Sequence, residues 1–140
     1  MKAGLPASLM STSTLLLCVA SAGARAEYAS IEEAAAVTDA HTARLERDSI
    51  ARQGDLVRFD VWVGWQDPAS RPPGEPARKV VRYLARCQEG TLAVSSVATF
   101  PTAGQPGKTY GIAPGGWDFE RPAAGSPGAD WLKRVCDAAN

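Results

Sequence analysis

Apolar and polar residues alternate with a period of two along three stretches of this chain, the signature of strands that bury one face. The cleanest is Leu56–Trp65, where Val57, Phe59, Val61, Val63 and Trp65 share one face and Arg58, Asp60, Trp62 and Gly64 the other. The odd-numbered face predicts core. Trp62 is the exception on the polar face, expected to lie partly covered by a neighbouring long side chain. Residues 79–88 place Val81, Tyr83, Ala85 and Cys87 on one side and Val80, Arg82, Leu84 and Arg86 on the other. Glu89-Gly90 then turns the chain into Leu92, Val94, Ser96, Ala98 and Phe100, so the two stretches predict a hairpin. Weaker alternation of His41, Ala43 and Leu45 with Thr42, Arg44 and Glu46 predicts a strand ahead of the turn signal Gln53-Gly54-Asp55. Residues 109–113 predict a short last strand, ended by Pro114-Gly115-Gly116.

Between these stretches the breakers are dense. Prolines at 68, 72, 73 and 76 and a glycine at 74 make residues 67–76 an exposed connection, because proline has no N–H to give a ladder. Residues 103–107 predict a second loop, and Trp117 and Phe119 are expected to pack at one end of the sheet. Residues 28–37, with Ile31 and the run Ala34-Ala35-Ala36, suit a short helix by propensity and an edge strand by recruitment, and the choice stays open. Ser126-Pro127 starts a helix, with serine as N-cap, proline in the first turn and Asp130 at the favourable end of the dipole. Leu132, Val135 and Cys136 stand at i, i+3 and i+4, which puts the cysteine on the apolar stripe, while Lys133 and Arg134 face solvent near the helix end.

Composition then narrows the setting. A chain of 140 residues holds one core, and 13 glycines with 10 prolines imply many turns and little helix. Lys2, the apolar run from Leu9 to Ala20 and Ala24-Arg25-Ala26 read as a signal peptide over residues 1–26, too short and too broken to span a membrane. Cys18 offers a rival reading, lipidation, against which the bulky Leu17 before it counts. Removal of the leader takes away two cations and changes a formal charge of zero to −2, a balance that suggests neither nucleic acid nor an acidic membrane as partner. It also leaves two of the three cysteines, Cys87 and Cys136. In an oxidising compartment these have one way to pair, and closing a loop of about 50 residues contributes on the order of 4 kcal/mol in the chain-entropy model. The predicted fold is therefore α+β, mainly β: an antiparallel sheet of five to six strands with a C-terminal helix on one face, tethered by a disulfide.

No residue set spells out an enzyme. His41 is the sole histidine and lies near Asp48 and Ser49, but the three belong to one strand and its turn. Asp118 and Glu120 flank an aromatic in a loop, a common arrangement with no catalytic meaning of its own. There is no nucleophile elbow, phosphate loop, C-x-x-C pair or metal-ligand cluster, so the expectation is no catalytic residue, no cofactor and no metal.

Asp48-Ser49-Ile50, Val57-Arg58-Phe59-Asp60-Val61-Trp62-Val63, Arg82-Tyr83-Leu84-Ala85-Arg86-Cys87 and Trp131-Leu132-Lys133-Arg134-Val135-Cys136, in that order and spacing, resemble the surface-adhesin protein E family. The likeness spans residues 45–136, and residues 27–140 would form the adhesin-like domain. It implies an exported, non-catalytic protein, periplasmic, secreted or lipid-anchored at the cell surface, that binds host extracellular-matrix proteins, and it is compatible with a homodimer paired through exposed sheet edges. The resemblance places the contact on a basic stretch before the first bridging cysteine, matched here by Arg71, Arg78, Lys79, Arg82, Tyr83 and Arg86. A polar solvated strand face accounts for the same arginines without any partner. A second class of function, a small periplasmic inhibitor or accessory protein, would work through the proline-rich loop 67–76.

Overall fold

A computed structural model describes Gly4, Tyr28, residues 30–102 and residues 104–140; the signal peptide expected over residues 1–26 lies outside the described residues apart from Gly4. Five strands run β1 (His41–Gln53), β2 (Leu56–Trp65), β3 (Arg78–Arg86), β4 (Thr91–Phe100) and β5 (Thr109–Gly111). They form an antiparallel meander in sequence order, each strand paired with its chain neighbours. Among the described residues two α-helices, α1 (Ile31–Ala35) and α2 (Pro127–Ala138), and two single 3-10 turns at Pro68–Ser70 and Pro114–Gly116 complete the fold.

The open choice at residues 28–37 resolves as a helix. Ser30 stands three residues before Glu33, and its Oγ accepts the Glu33 N–H at 3.1 Å, which satisfies an otherwise orphaned donor of the first turn. Five residues of helix are too few to stand alone; α1 persists because Ala34 and Ala35 are buried against the sheet. Lys79 fixes its other end. The side chain is 5 % exposed on the core face of β3, and Nζ donates to Ala34 O at 2.7 Å and to Ala36 O.

Helix α2 begins as its sequence predicts, with Ser126 Oγ accepting from Ala129 N at 3.3 Å and Pro127 in the first turn. Its stripe is centred differently from the expectation. Trp131 and Val135 are the buried pair, and Leu132 and Cys136 lie only half-buried beside them. Lys133 and Arg134 are exposed, but no base occupies the last turn; the cation at the helix end comes from β1, where Arg52 donates to Ala139 O at 3.0 Å. Because α2 touches β1, β2, β3 and β4 alike, it runs across the strands. Cys136 is bonded to Cys87 with their Cα atoms 5.7 Å apart. Cys87 is itself exposed and sits one residue past β3, at the start of the turn, rather than on the inward face of a strand reaching residue 88.

The core is one layer between sheet and helices. Val57, Phe59, Val61 and Val63 of β2 meet Val81 and Ala85 of β3, Leu92 and Val97 of β4, and the helix residues Ala34, Ala35, Trp131 and Val135. Phe59 stacks on Tyr83 at 5.4 Å, and Tyr83 meets Trp131 at 5.7 Å. Burial pushes the Tyr83 phenol up to about 12, so it stays neutral.

Two irregularities depart from a strict period of two. In β1, residues 47–50 bulge opposite Phe59, where Ser49 Oγ replaces a ladder acceptor by taking the Asp60 N–H at 2.7 Å. In β4, Ser95 is the extra residue between the pairs Tyr83–Val94 and Arg82–Ser96. The alternation read from the sequence put Leu92, Val94, Ser96, Ala98 and Phe100 on one face. The bulge exchanges faces halfway, so Leu92 and Val94 look inward with Val97 and Thr99, whereas Ser96, Ala98 and Phe100 look outward.

Candidate interaction surface

Both α-helices pack on one face of the sheet, and among the described residues neither reaches the other face. Its character comes from β3, where Arg78, Arg82 and Arg86 recur at every fourth position and so point the same way. Spacing of roughly 3.4 Å per residue makes this row roughly 27 Å long.

The three arginines are held in different ways. Arg82 is neutralised: Nε and one Nη donate to the two carboxylate oxygens of Asp60 at 2.8 and 3.0 Å, and this bidentate pair holds the guanidinium above its usual range. Arg78 instead lies over aromatic rings, 4.4 Å from the centroid of Trp62 and 5.1 Å from that of Phe100. The two rings stack at 6.2 Å. Arg78 Nε is buried with no acceptor among the described residues. Arg86 lies 3.8 Å over the ring of Phe119. Phe119 reaches this face because Glu120 bridges Leu92, an inward residue, so its predecessor points outward. Leu84 and Ala93, opposite each other between these groups, are buried on a face that alternation makes polar. Outward alternation and the register surround Leu84 with the stems of Arg58, Arg82 and Arg86.

Of the six residues singled out from the sequence, the structure thus brings Arg78, Arg82 and Arg86 together. Lys79 and Tyr83 look into the core: Lys79 caps α1, and burial pushes its ammonium down to about 8 while Glu75 partly offsets the shift. Arg71 belongs to the loop after β2, where Nη1 donates to Glu75 O at 3.3 Å and to Pro101 O at 3.0 Å. That loop is braced further by the Trp65 indole on Pro76 O at 2.9 Å and the Tyr28 hydroxyl on Glu75 at 2.9 Å, which leaves Pro72, Pro73 and Gly74 as its exposed tip. His41 meets Trp65 with ring centroids 4.3 Å apart and the planes tilted by 43°, and its Nδ1 accepts the Thr38 N–H at 2.9 Å; burial and the nearby Lys79 lower its pKa. Sequence reasoning missed Phe100 and Phe119 as members of the surface, the first because the Ser95 bulge is silent in the pattern. Trp62 lies as expected, half-buried and covered by a long side chain.

No group of three or more metal-ligating side chains is present among the described residues, and none of their helices is long and apolar enough to cross a membrane. No family model matches the chain, and no curated protein matches it. Among solved structures it is similar to protein E of Haemophilus influenzae, with 14 % identity and a TM-score of 0.49 over 74 % of this chain and 91 % of that one. A likeness of that size carries no inference about what the chain binds.

Proposed function

We propose that this chain is an exported, non-catalytic binding protein whose contact surface is the bare face of the sheet, with Arg78 and Arg86 as anchors for an acidic protein surface. The observation that carries the reading is the pair of guanidinium groups held on aromatic rings without a carboxylate, at the two ends of a row whose centre is already neutralised. The rings hold the guanidinium groups in place, so binding a carboxylate costs little additional ordering. Arginine and tryptophan are also the residues that dominate measured protein contacts. The Cys87–Cys136 bridge supports export, because such bonds persist in oxidising compartments. Extracellular-matrix proteins of the host are the partners that the sequence resemblance suggests.

The test is surface-plasmon binding of residues 27–140 to a panel of matrix proteins, using the wild type, the double variant Arg78→Glu/Arg86→Glu and the single variant Tyr83→Phe. The double variant is expected to lose binding by at least roughly a hundredfold, since each reversed charge removes one charge-assisted contact. Tyr83→Phe, which alters a core-facing residue, should bind as the wild type does. Unchanged binding by the double variant would refute the surface, and the absence of any matrix ligand would refute the partner class.

A further inference from the structure

The two helices leave a gap on the covered side of the sheet. Helix α1 ends at Ala35 and α2 does not begin until Pro127, and between them opens a cleft of about 540 Å³, within the range of small-ligand sites. Its floor is Tyr83, Leu92 and Val94, its walls are Val37 on the α1 side and Trp131 on the α2 side, and Ile112 closes one end. Val37 is the one large hydrophobic residue among those described that is classed as exposed, at 37 %. The hydroxyl of Tyr83 has no hydrogen-bond partner among the described residues, although the ring is wedged between Phe59 and Trp131.

The charge at the rim has one sign. Glu32 comes from α1, and Asp118 and Glu120, alternate residues brought to the same side by the bridge to Leu92, come from the strand-like segment after β5. None of the three carboxylates has a cationic partner among the described residues. The arginine of the lining, Arg121, is turned to the neighbouring turn, where it donates to Glu89 O at 3.0 Å.

We infer that this cleft is a binding site for a hydrophobic ammonium compound, whose apolar body would lie on Leu92, Val94 and Trp131 and whose cationic head would meet Asp118 and Glu120. An apolar floor alone accepts any greasy molecule; an uncompensated acidic rim selects the positive one. The site lies on the opposite side of the sheet from the arginine row and does not depend on what that row binds.

Octylammonium is the probe, with octanol and octanoate as neutral and negative controls bearing the same alkyl chain. Backbone amide and indole N–H shifts of the intact protein are followed by NMR during titration. Octylammonium is expected to move the signals of Gly128 and the Trp131 indole and to bind roughly tenfold more tightly than octanol, with octanoate weakest. In the double variant Asp118→Asn/Glu120→Gln, octylammonium should fall to the level of octanol, while octanol is unaffected. Equal binding of all three compounds, shifts confined to other parts of the molecule, or no shifts at millimolar probe would each overturn the site. A thermal transition equal to that of the wild type shows that the double variant is folded. The Arg78→Glu/Arg86→Glu protein should bind octylammonium as the wild type does, which separates failure of this site from failure of the sheet face.

Discussion

Lys79 joins three parts of the molecule through one ammonium group: it grows from the centre of the sheet, ends on the last carbonyls of α1, and feels Glu75 from the loop after β2. Without it, Ala34 O is left buried and unpaired, at a cost of about 1–3 kcal/mol. Lys79→Met should therefore lower stability by that order and raise amide exchange across residues 31–36 before the rest of the sheet responds. The sign of its pH dependence follows from burial. A folded value near 8, below the ordinary lysine value of 10.5, means that the unfolded chain binds more protons between the two, so this group's contribution grows as pH rises through that window and is lost as pH falls through 8. Tyr28 and Tyr83, both raised by burial first, act oppositely above pH 10. Denaturant midpoints measured from pH 7 to 10 should rise in the wild type relative to Lys79→Met; parallel curves would contradict the assignment. Nothing in the sequence distinguishes Lys79 from the arginines around it except parity, which puts it in phase with Val81 and opposite Arg78 and Val80. Read strictly, that parity already marks it as inward.

At the level of elements, strand positions followed from alternation because one face of each strand is buried and a slip of one residue would exchange the faces. Strand β2 accordingly matches its expected limits residue for residue. Helix α2 was equally legible at its start, where Ser126 and Pro127 announce the cap, but its stripe was misplaced by one residue because Trp131 and Leu132 are both apolar and only packing against Tyr83 decides between them. The two bulges were not legible: an inserted residue leaves composition and local pattern unchanged and shows only in the partner's register. Deletion of Ser95 tests this directly. It removes the extra residue and leaves strict alternation with Val94 inward, Ser96 outward and Val97 inward, so the core face is kept and the expected loss in chemical denaturation is only about 1–2 kcal/mol, that of the bonds Ser95 makes through its hydroxyl to Arg82 O and through its carbonyl to Ile112 N. A loss of more than about 4 kcal/mol would contradict the placement of the bulge, because it would mean that core side chains had been turned outward. Cys87→Ser/Cys136→Ser should cost about 4 kcal/mol, chiefly by releasing the unfolded chain from its loop, with α2 exchanging first in hydrogen-exchange measurements.

Taken whole, the molecule hides a division of charge behind a formal total of zero. The bare sheet face presents Arg44, Arg58, Arg78, Arg82 and Arg86 against Glu46 and Asp60. The cleft on the other side is rimmed by carboxylates. Since the sheet separates the two, an acidic protein partner and octylammonium should bind at the same time. Titration of the probe into the protein with and without bound partner checks this: equal affinities are expected, and competition would place both on one surface. Composition could not reveal the division, because opposite faces cancel in a sum; only the register of β2, β3 and β4 assigns each charge to a side. The exposed position of Cys87 has its own consequence. Reduction by a small thiol is therefore expected to proceed from the native molecule, with no prior opening of the fold, and at a rate independent of added denaturant below the unfolding transition. Passage into reducing surroundings would unfasten the terminal helix first and leave it held by its packing, chiefly Trp131 and Val135, and by the Arg52 bond to Ala139 O, so the history of a given copy, and not sequence alone, decides how firmly its last dozen residues are held.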